Sequence, residues 1–234
     1  CYPYFGYYKK VLELQNTSYN ARKDILGANY SDALTELDDL ICSYVDLGYY
    51  KKACKLQNTV YNARKDILGE NHLDTLRSLE GLACTYSYLG DYNKACELED
   101  TSYNARKEVL GENHPDTLRS LGNLARSYFN LGDYNKALEM RNAVYDALKD
   151  ILGENHPDTL FILNDLAISY SRLGYYNKAC ELQNTSYNAL KDILGAKHSD
   201  TLTVLANLAS SFSDLGDYNK ACLLYTSDAA DDSL

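Results

Sequence analysis

The residue types that could do chemistry in this sequence recur in one short motif. The nine residues LGENHPDTL occur twice without change, at Leu110–Leu118 and at Leu152–Leu160, and looser copies begin at Leu26, Leu68 and Leu194. The unchanged copies combine a glycine, a histidine and two acidic residues, which are the residue types of an active site or a metal site. The motif therefore marks either a functional site or a boundary between structural elements.

The histidines of the motif do not form a convergent set. Four copies contribute one histidine each, at intervals of 42 residues: His72, His114, His156 and His198. A zinc site needs three or four ligands that meet at one point, whereas residues on successive structural units lie about one unit apart. The first copy has Tyr30 at this place. We therefore expect each histidine to pack or hydrogen-bond locally at the start of a helix.

The chain up to about Leu224 is one unit of 42 residues that is repeated. Two glycine series, one alanine series and one tyrosine series keep this interval: Gly27 to Gly195, Gly48 to Gly216, Ala53 to Ala221 and Tyr19 to Tyr187. Agreement among four series excludes chance, and a period of 20–50 residues is typical of solenoids.

The repeat predicts where the chain divides. A partial repeat at 1–27 precedes four complete repeats at 28–69, 70–111, 112–153 and 154–195, and a truncated repeat at 196–224 follows. The last ten residues, 225–234, depart from the repeat. The run CLLYTSDAADD resembles the translation of a sequencing adapter, with a genuine acidic tail as the alternative. We assign this tail no function and expect the last helix to fray.

Each unit contains two helical stretches. In the third complete repeat, apolar residues recur every three or four positions from Leu118 to Leu131 and again from Ala137 to Leu152, which is the pattern of helices with one buried face. A glycine follows each stretch, as is common where helices end. We name the shorter stretch helix A and the longer one helix B. A leading helix B is expected over about 7–26 and a final helix A over about 200–215.

The recurring motif is then the joint between helix B of one unit and helix A of the next. Gly111 closes one helix, and Pro115 suits the first turn of the next, where its missing N–H is no loss. Asp116 places a negative charge at the positive end of that helix. Where proline is absent, Ser31 and Ser199 are expected to cap the helix instead.

The helix pair resembles the tetratricopeptide repeat. In the repeat at 112–153 the matching residues are Leu121, Leu124, Ala125, Tyr128, Gly132, Tyr134 and Ala137. The 42-residue period and the joint motif are similar to the long repeats of kinesin light chains and nephrocystin-like proteins. The resemblance implies an all-α fold, a right-handed superhelical solenoid of antiparallel helix pairs. Gly81 and Gly122 depart from the pattern inside helix A, each at a cost of about 1 kcal/mol against alanine.

The resemblance also implies a binding surface, because helix A lines a concave, peptide-binding groove in this family. The predicted peptide-binding residues are Asp39, Asn123, Arg126, Asn130, Asp165, Arg172 and Asn207. An asparagine at the position of Asn123 and Asn207 holds a peptide backbone in the family, since an amide both donates and accepts hydrogen bonds. Asp39 and Asp165 stand at the same repeat position and are nearly isosteric with asparagine, whereas Gly81 has no side chain there.

Charge on the implied groove suggests what the ligand carries. The first two units place acids there, at Asp38, Asp39, Asp46 and Glu80, which predicts a basic ligand segment toward that end. An acidic or phosphorylated ligand residue is expected near Arg126 and Arg172.

Composition excludes other classes of protein. The formal net charge of -10 argues against nucleic acid as a partner, and no apolar run approaches the roughly 20 residues that span a bilayer. Six of the seven cysteines stand at two repeat positions where other repeats have Leu138 or Ile168, which favours a reducing, cytoplasmic location over disulfides. No nucleotide-binding loop, nucleophile elbow or zinc spacing occurs. We predict no enzyme activity, no cofactor and no metal.

We therefore expect a protein-interaction scaffold that binds an extended peptide or a partner helix. Two alternatives stay open at this point. The array is a regulatory or sensor arm of a larger signalling ATPase or protease-linked protein, or it is the cargo-binding part of a kinesin-light-chain-like motor adaptor. The chain begins at Cys1, and we interpret it as a fragment; no oligomeric state is predicted.

Overall fold

The structure is a computed structural model that describes residues 31–230, together with Thr17 and Asn20, and the side chains over 34–224. The expected leading helix B over about 7–26 lies outside the described residues. Across 31–230 the chain forms ten α-helices: α1 (Ser31–Asp46), α2 (Tyr50–Leu68), α3 (Leu73–Tyr88), α4 (Tyr92–Leu110), α5 (Pro115–Leu131), α6 (Tyr134–Leu152), α7 (Pro157–Arg172), α8 (Tyr176–Leu194), α9 (Ser199–Leu215) and α10 (Tyr218–Ala230). The predicted all-α fold of paired helices is confirmed.

Helices A and B keep the lengths that the periodicity predicts. The odd-numbered helices are helices A, with 16 or 17 residues, and α2, α4, α6 and α8 are helices B, with 19 residues each. The last helix B, α10, has 13 residues and continues six residues beyond the predicted end of the repeat, to Ala230. The loss of repeat register at residue 225 is therefore not a helix end.

The contacts divide the chain into two compact units, residues 1–127 and residues 128–234, with the boundary inside α5. In unit 1, α1 and α2 share a buried core in which Leu37 and Leu40 meet Ala53 and Val60. The alanine is 0% exposed, and a small side chain there lets the two helices approach closely.

Unit 2 repeats this packing with its own core. Leu160, Leu163 and Leu166 of α7 pack against Leu190 of α8 and Val204 of α9. Each of these five side chains is at most 6% exposed. Burying such side chains contributes about 1.5–3 kcal/mol each, so the A–B and B–A contacts stabilise the unit.

The glycine that ends helix B adopts backbone angles that are strained for any other residue. Gly153 has φ +94° and ψ 160°, and the equivalent Gly69, Gly111 and Gly195 have the same angles within a few degrees. The φ is positive, but the ψ is extended, so this helix end is not the common left-handed glycine stop. A residue with a Cβ atom is strained there, which explains why every joint of the sequence keeps this glycine.

The histidine of each joint is the N-cap of the following helix A. The Nδ1 atoms of His72, His114, His156 and His198 accept hydrogen bonds from the backbone N–H two residues later, at 3.1–3.3 Å. The expected local role of the histidines is thus confirmed. The expected cap at Ser199 is wrong, because Ser199 is already the first residue of α9 and His198 precedes it as the cap. The side chain of Ser31 lies outside the described residues.

Candidate functional site

The predicted binding surface consists of one stripe on each helix A, which we call the A face. Its residues stand at intervals of three and four, so that they share one side of the helix. They are Asp39, Cys42 and Asp46 of α1; Gly81, Cys84 and Tyr88 of α3; Asn123, Arg126 and Asn130 of α5; Asp165, Ile168 and Arg172 of α7; and Asn207, Ser210 and Asp214 of α9. None of these residues is buried, and Asp39, Arg126, Asn130 and Arg172 are exposed.

In unit 1 the A face carries a carboxamide, a cation and an aromatic ring. Arg126 Nη2 donates to Asn123 Oδ1 at 3.0 Å, which fixes the orientation of the Asn123 amide. Tyr88 of α3 is 50% exposed, and its ring stacks on that of Tyr50 with centroids 5.0 Å apart. The neighbouring Cys84 thiol and burial raise the pKa of Tyr88, and the positive charge of Arg126 opposes this rise.

In unit 2 the A face joins two neighbouring helices A. Asn207 Nδ2 of α9 donates to Asn164 Oδ1 of α7 at 3.2 Å. Further along the same pair of helices, Ser171 Oγ donates to Asp214 Oδ2 at 3.1 Å. The two helices therefore lie side by side, and the predicted site residue Asn207 is held by a residue that the sequence analysis did not select.

Asp165, another predicted site residue, is in contact with the buried guanidinium of Arg141. Arg141 of α6 is 5% exposed, and its Nη1 donates to the backbone oxygen of Asp165 at 2.7 Å and to Ser169 Oγ at 2.6 Å. Arg141 Nη2 lies 3.9 Å from Asp165 Oδ2. This guanidinium neutralises part of the Asp165 charge, so the carboxylate of the fourth repeat is not a free acid on the surface.

Arg141 belongs to a series of buried polar residues that the sequence analysis missed. The same position of helix B holds Gln57, Glu99, Arg141 and Gln183, which are 1–6% exposed. A signal was available, because each residue stands four positions after the buried alanine of helix B, on the buried side of the helix. Gln57 and Arg141 both donate hydrogen bonds to the following helix A, so these two side chains contact the helix that carries the A face.

The acids of the first two repeats differ from expectation. Asp38 and Glu80 were assigned to the groove, but each is an ion-pair partner of an arginine from helix B of its own repeat. Arg64 Nη2 lies 2.5 Å from Asp38 Oδ2, and Arg106 Nε lies 3.1 Å from Glu80 Oε1. Burial raises the pKa of Asp38 despite the opposing hydrogen bond from Arg64. Half of the charge that predicted a basic ligand segment is therefore already paired.

The described residues offer no second site of another kind. No cluster of three or more His, Cys, Asp or Glu side chains there could hold a metal ion, and no helix in that part is long and apolar enough to cross a membrane. The cysteines from Cys42 to Cys222 are free thiols. An open cavity of about 410 Å³ is lined by Gly48 to Lys52 and Leu89, without any predicted site residue.

The structure is that of a helix-pair repeat array, in which polar, partly exposed side chains recur once per repeat. A sequence profile of the tetratricopeptide repeat matches residues 43–108, 88–150, 122–192 and 162–227. The chain belongs to the tetratricopeptide repeat family. Repeats of this family are typical protein–protein interaction scaffolds, and the fold is generally not enzymatic.

Solved structures agree with this assignment. One solved structure contains the TPR-like repeats, nearly identical to one another, of a kinesin-light-chain-like protein from Podosopora anserina. It is 26% identical to this chain, with a TM-score of 0.75 over 84% of this chain and 93% of that one. BtubC (BKLC) from P. vanneervenii shares 17% identity, with a TM-score of 0.71 over 98% and 91%. The quorum sensor NprR from B. thuringiensis shares 16%, with a TM-score of 0.65 over 92% and 58%. No curated protein sequence matches the chain.

Proposed function

We propose that the chain is a scaffold whose A face binds an extended peptide segment of a partner protein. The observation that supports this most comes from unit 1, where Arg126 orients the Asn123 amide on the same face on which the ring of Tyr88 is exposed. An oriented amide offers a donor and an acceptor to a peptide backbone. Repeats of this family are typical protein–protein interaction scaffolds, which favours a segment of a partner protein as the occupant of this face.

The side chains around Asn123 indicate which peptide residues are favoured. Arg126 is exposed and donates one N–H to Asn123 Oδ1. Its remaining N–H donors suit a carboxylate or phosphate of the ligand. Tyr88, stacked on Tyr50, offers a rigid apolar surface that suits an aromatic or aliphatic side chain. The preferred segment therefore carries an acidic residue next to an apolar one.

A display experiment tests the proposal. Random dodecapeptides are selected on the chain, and the dissociation constant of the most enriched peptide is measured by fluorescence anisotropy. The double variant Asn123→Ala, Arg126→Glu should weaken this peptide at least about tenfold, because two oriented polar contacts are lost and one charge is reversed.

The matched control is Arg77→Glu. Arg77 is an exposed arginine of α3 that pairs with Asp74 on its own helix, at 3.0 Å, and it does not belong to the A face. This change alters the net charge as Arg126→Glu does, and it should leave binding within about twofold. Equal binding by the double variant and the parent would place the site elsewhere.

A further inference from the structure

One glycine interrupts the polar series of the A face. The five helices A carry, at one repeat position, Asp39, Gly81, Asn123, Asp165 and Asn207. Gly81 brings no side chain, so α3 offers a peptide backbone neither donor nor acceptor from this position.

The place of the missing side chain is taken by Gln57 from α2, helix B of the preceding repeat. A Cβ atom on Gly81 would stand 2.7 Å from Gln57 Nε2, 2.9 Å from Cδ and 3.2 Å from Oε1. All three atoms belong to the carboxamide, so this group lies where the side chain of residue 81 would begin. Gln57 Nε2 also donates to the backbone oxygen of Ser78 at 3.0 Å, which orients the group.

A second glutamine of the chain provides a comparison. Gln183 stands at the same position of helix B, but the residue that corresponds to Gly81 in the next repeat is Asn207. Gln183 is 1% exposed, and its Oε1 is buried without a hydrogen-bond partner. Gln57 is 6% exposed, and its Oε1 is not one of the buried atoms that lack a hydrogen-bond partner. The corresponding residues of the next helix A also differ, because Gly81 has no side chain whereas Asn207 has one.

We propose that Gln57 is a peptide-binding residue whose carboxamide contacts the peptide backbone through the gap at Gly81. The proposal rests on the proposed function. Since Ser78 takes one N–H of Nε2, the second N–H and Oε1 remain for a ligand. These are the groups that Asn123 offers one repeat further on, delivered here from helix B. The occupant is an extended backbone, which presents donors and acceptors in alternation.

The test uses the most enriched dodecapeptide of a random display library. Gln57→Ala should weaken its binding about five- to tenfold, the effect of losing a hydrogen-bonding amide. The double variant Gln57→Ala, Gly81→Asn should restore binding to within about twofold, because removing the glutamine makes room for a carboxamide from helix A. Gln183→Ala deletes the same side chain at the covered position, and it should leave binding unchanged. Circular dichroism checks that all variants fold.

The outcomes separate this inference from the proposed function. If no dodecapeptide is enriched on the parent chain, the proposed function fails and the inference fails with it. If a peptide binds and Asn123→Ala weakens it while Gln57→Ala does not, the inference alone is overturned.

Discussion

Arg106 and Glu80 form an ion pair that is almost closed to water. Arg106 Nε of α4 lies 3.1 Å from Glu80 Oε1 of α3, with side chains 2% and 11% exposed, and the Ser102 and Ser120 hydroxyls also donate to Glu80. The first repeat has the equivalent pair Asp38 and Arg64. The third and fourth repeats have Gly122 with Leu148 and Asn164 with Leu190. Repeats with an acidic residue at this position of helix A thus have an arginine at the facing position of helix B, and repeats without the acid have leucine there.

This pairing predicts strong coupling between the two positions. Arg106→Leu alone should lower the free energy of unfolding by about 3 kcal/mol, because it leaves the largely buried Glu80 carboxylate with only the more distant Arg119, 3.9 Å away. Adding Glu80→Asn reproduces the pair of the fourth repeat and should recover most of the loss. Urea denaturation followed by circular dichroism measures both variants, and additive losses would contradict the coupling.

Two glycines inside helices A should respond differently to alanine. A Cβ on Gly122 meets nothing within 4 Å, whereas one on Gly81 stands 2.7 Å from Gln57. Gly122→Ala should therefore stabilise the chain by about 1 kcal/mol through helix propensity. Gly81→Ala should bring no gain, because the Gln57 carboxamide must move. Thermal unfolding of the two variants compares them directly, and an equal gain at both positions would show that Gln57 yields freely.

Glu99 should make stability depend on pH. Burial raises the pKa of its carboxyl, and the hydrogen bond from Ser127 and the charge of Arg126 only partly oppose this. The folded chain therefore holds this proton more tightly than the unfolded chain. The resulting stability is present below the unfolded pKa and is lost as the pH rises through the folded pKa.

Glu99→Gln, which copies Gln57 and Gln183, should consequently stabilise the chain near pH 7.5, with a gain that shrinks toward about pH 4. Denaturant unfolding at several pH values measures the difference between variant and parent. Glu108→Gln is the control, because Glu108 is exposed on the same helix. A gain that does not change with pH would contradict the assignment to the Glu99 carboxyl.

The joint histidines should contribute as helix caps. His156 Nδ1 accepts from the Asp158 N–H at 3.2 Å, so His156→Ala should cost about 1 kcal/mol. His156→Ser keeps an acceptor at the cap and should retain most of the stability. Asn155→Ala, at the exposed neighbouring residue, serves as the control in thermal unfolding. A loss from His156→Ser as large as that from His156→Ala would mean that the ring acts through packing.

Periodicity predicted the helices closely. The apolar pattern placed helix B of the third repeat up to Leu152 and the final helix A over about 200–215, and the structure has Tyr134–Leu152 and Ser199–Leu215. A 42-residue repeat is informative because five imperfect copies show which positions tolerate change. The cap was misassigned at Ser199, since serine is the usual cap and histidine acts in that role here only through Nδ1.

The candidate site was less predictable, and the reason is geometric. A helical pattern shows which side of a helix a residue occupies, but residues at the border of that side can turn toward either neighbour. Asp38 and Glu80 stand at this border and turn to the arginines of helix B. Gln57 reaches the A face from another helix altogether, and only the absent side chain of Gly81 reveals it.

The placement of the buried pairs has a consequence for how such arrays change length. Glu80 and Arg106 both belong to the segment 70–111, so unequal recombination that gains or loses whole segments moves the two charges together. Gln57 and Gly81 belong to different segments, and the same event separates them. Duplication of a unit therefore preserves the electrostatics of its interior while it creates a new combination of residues on the proposed peptide-binding side.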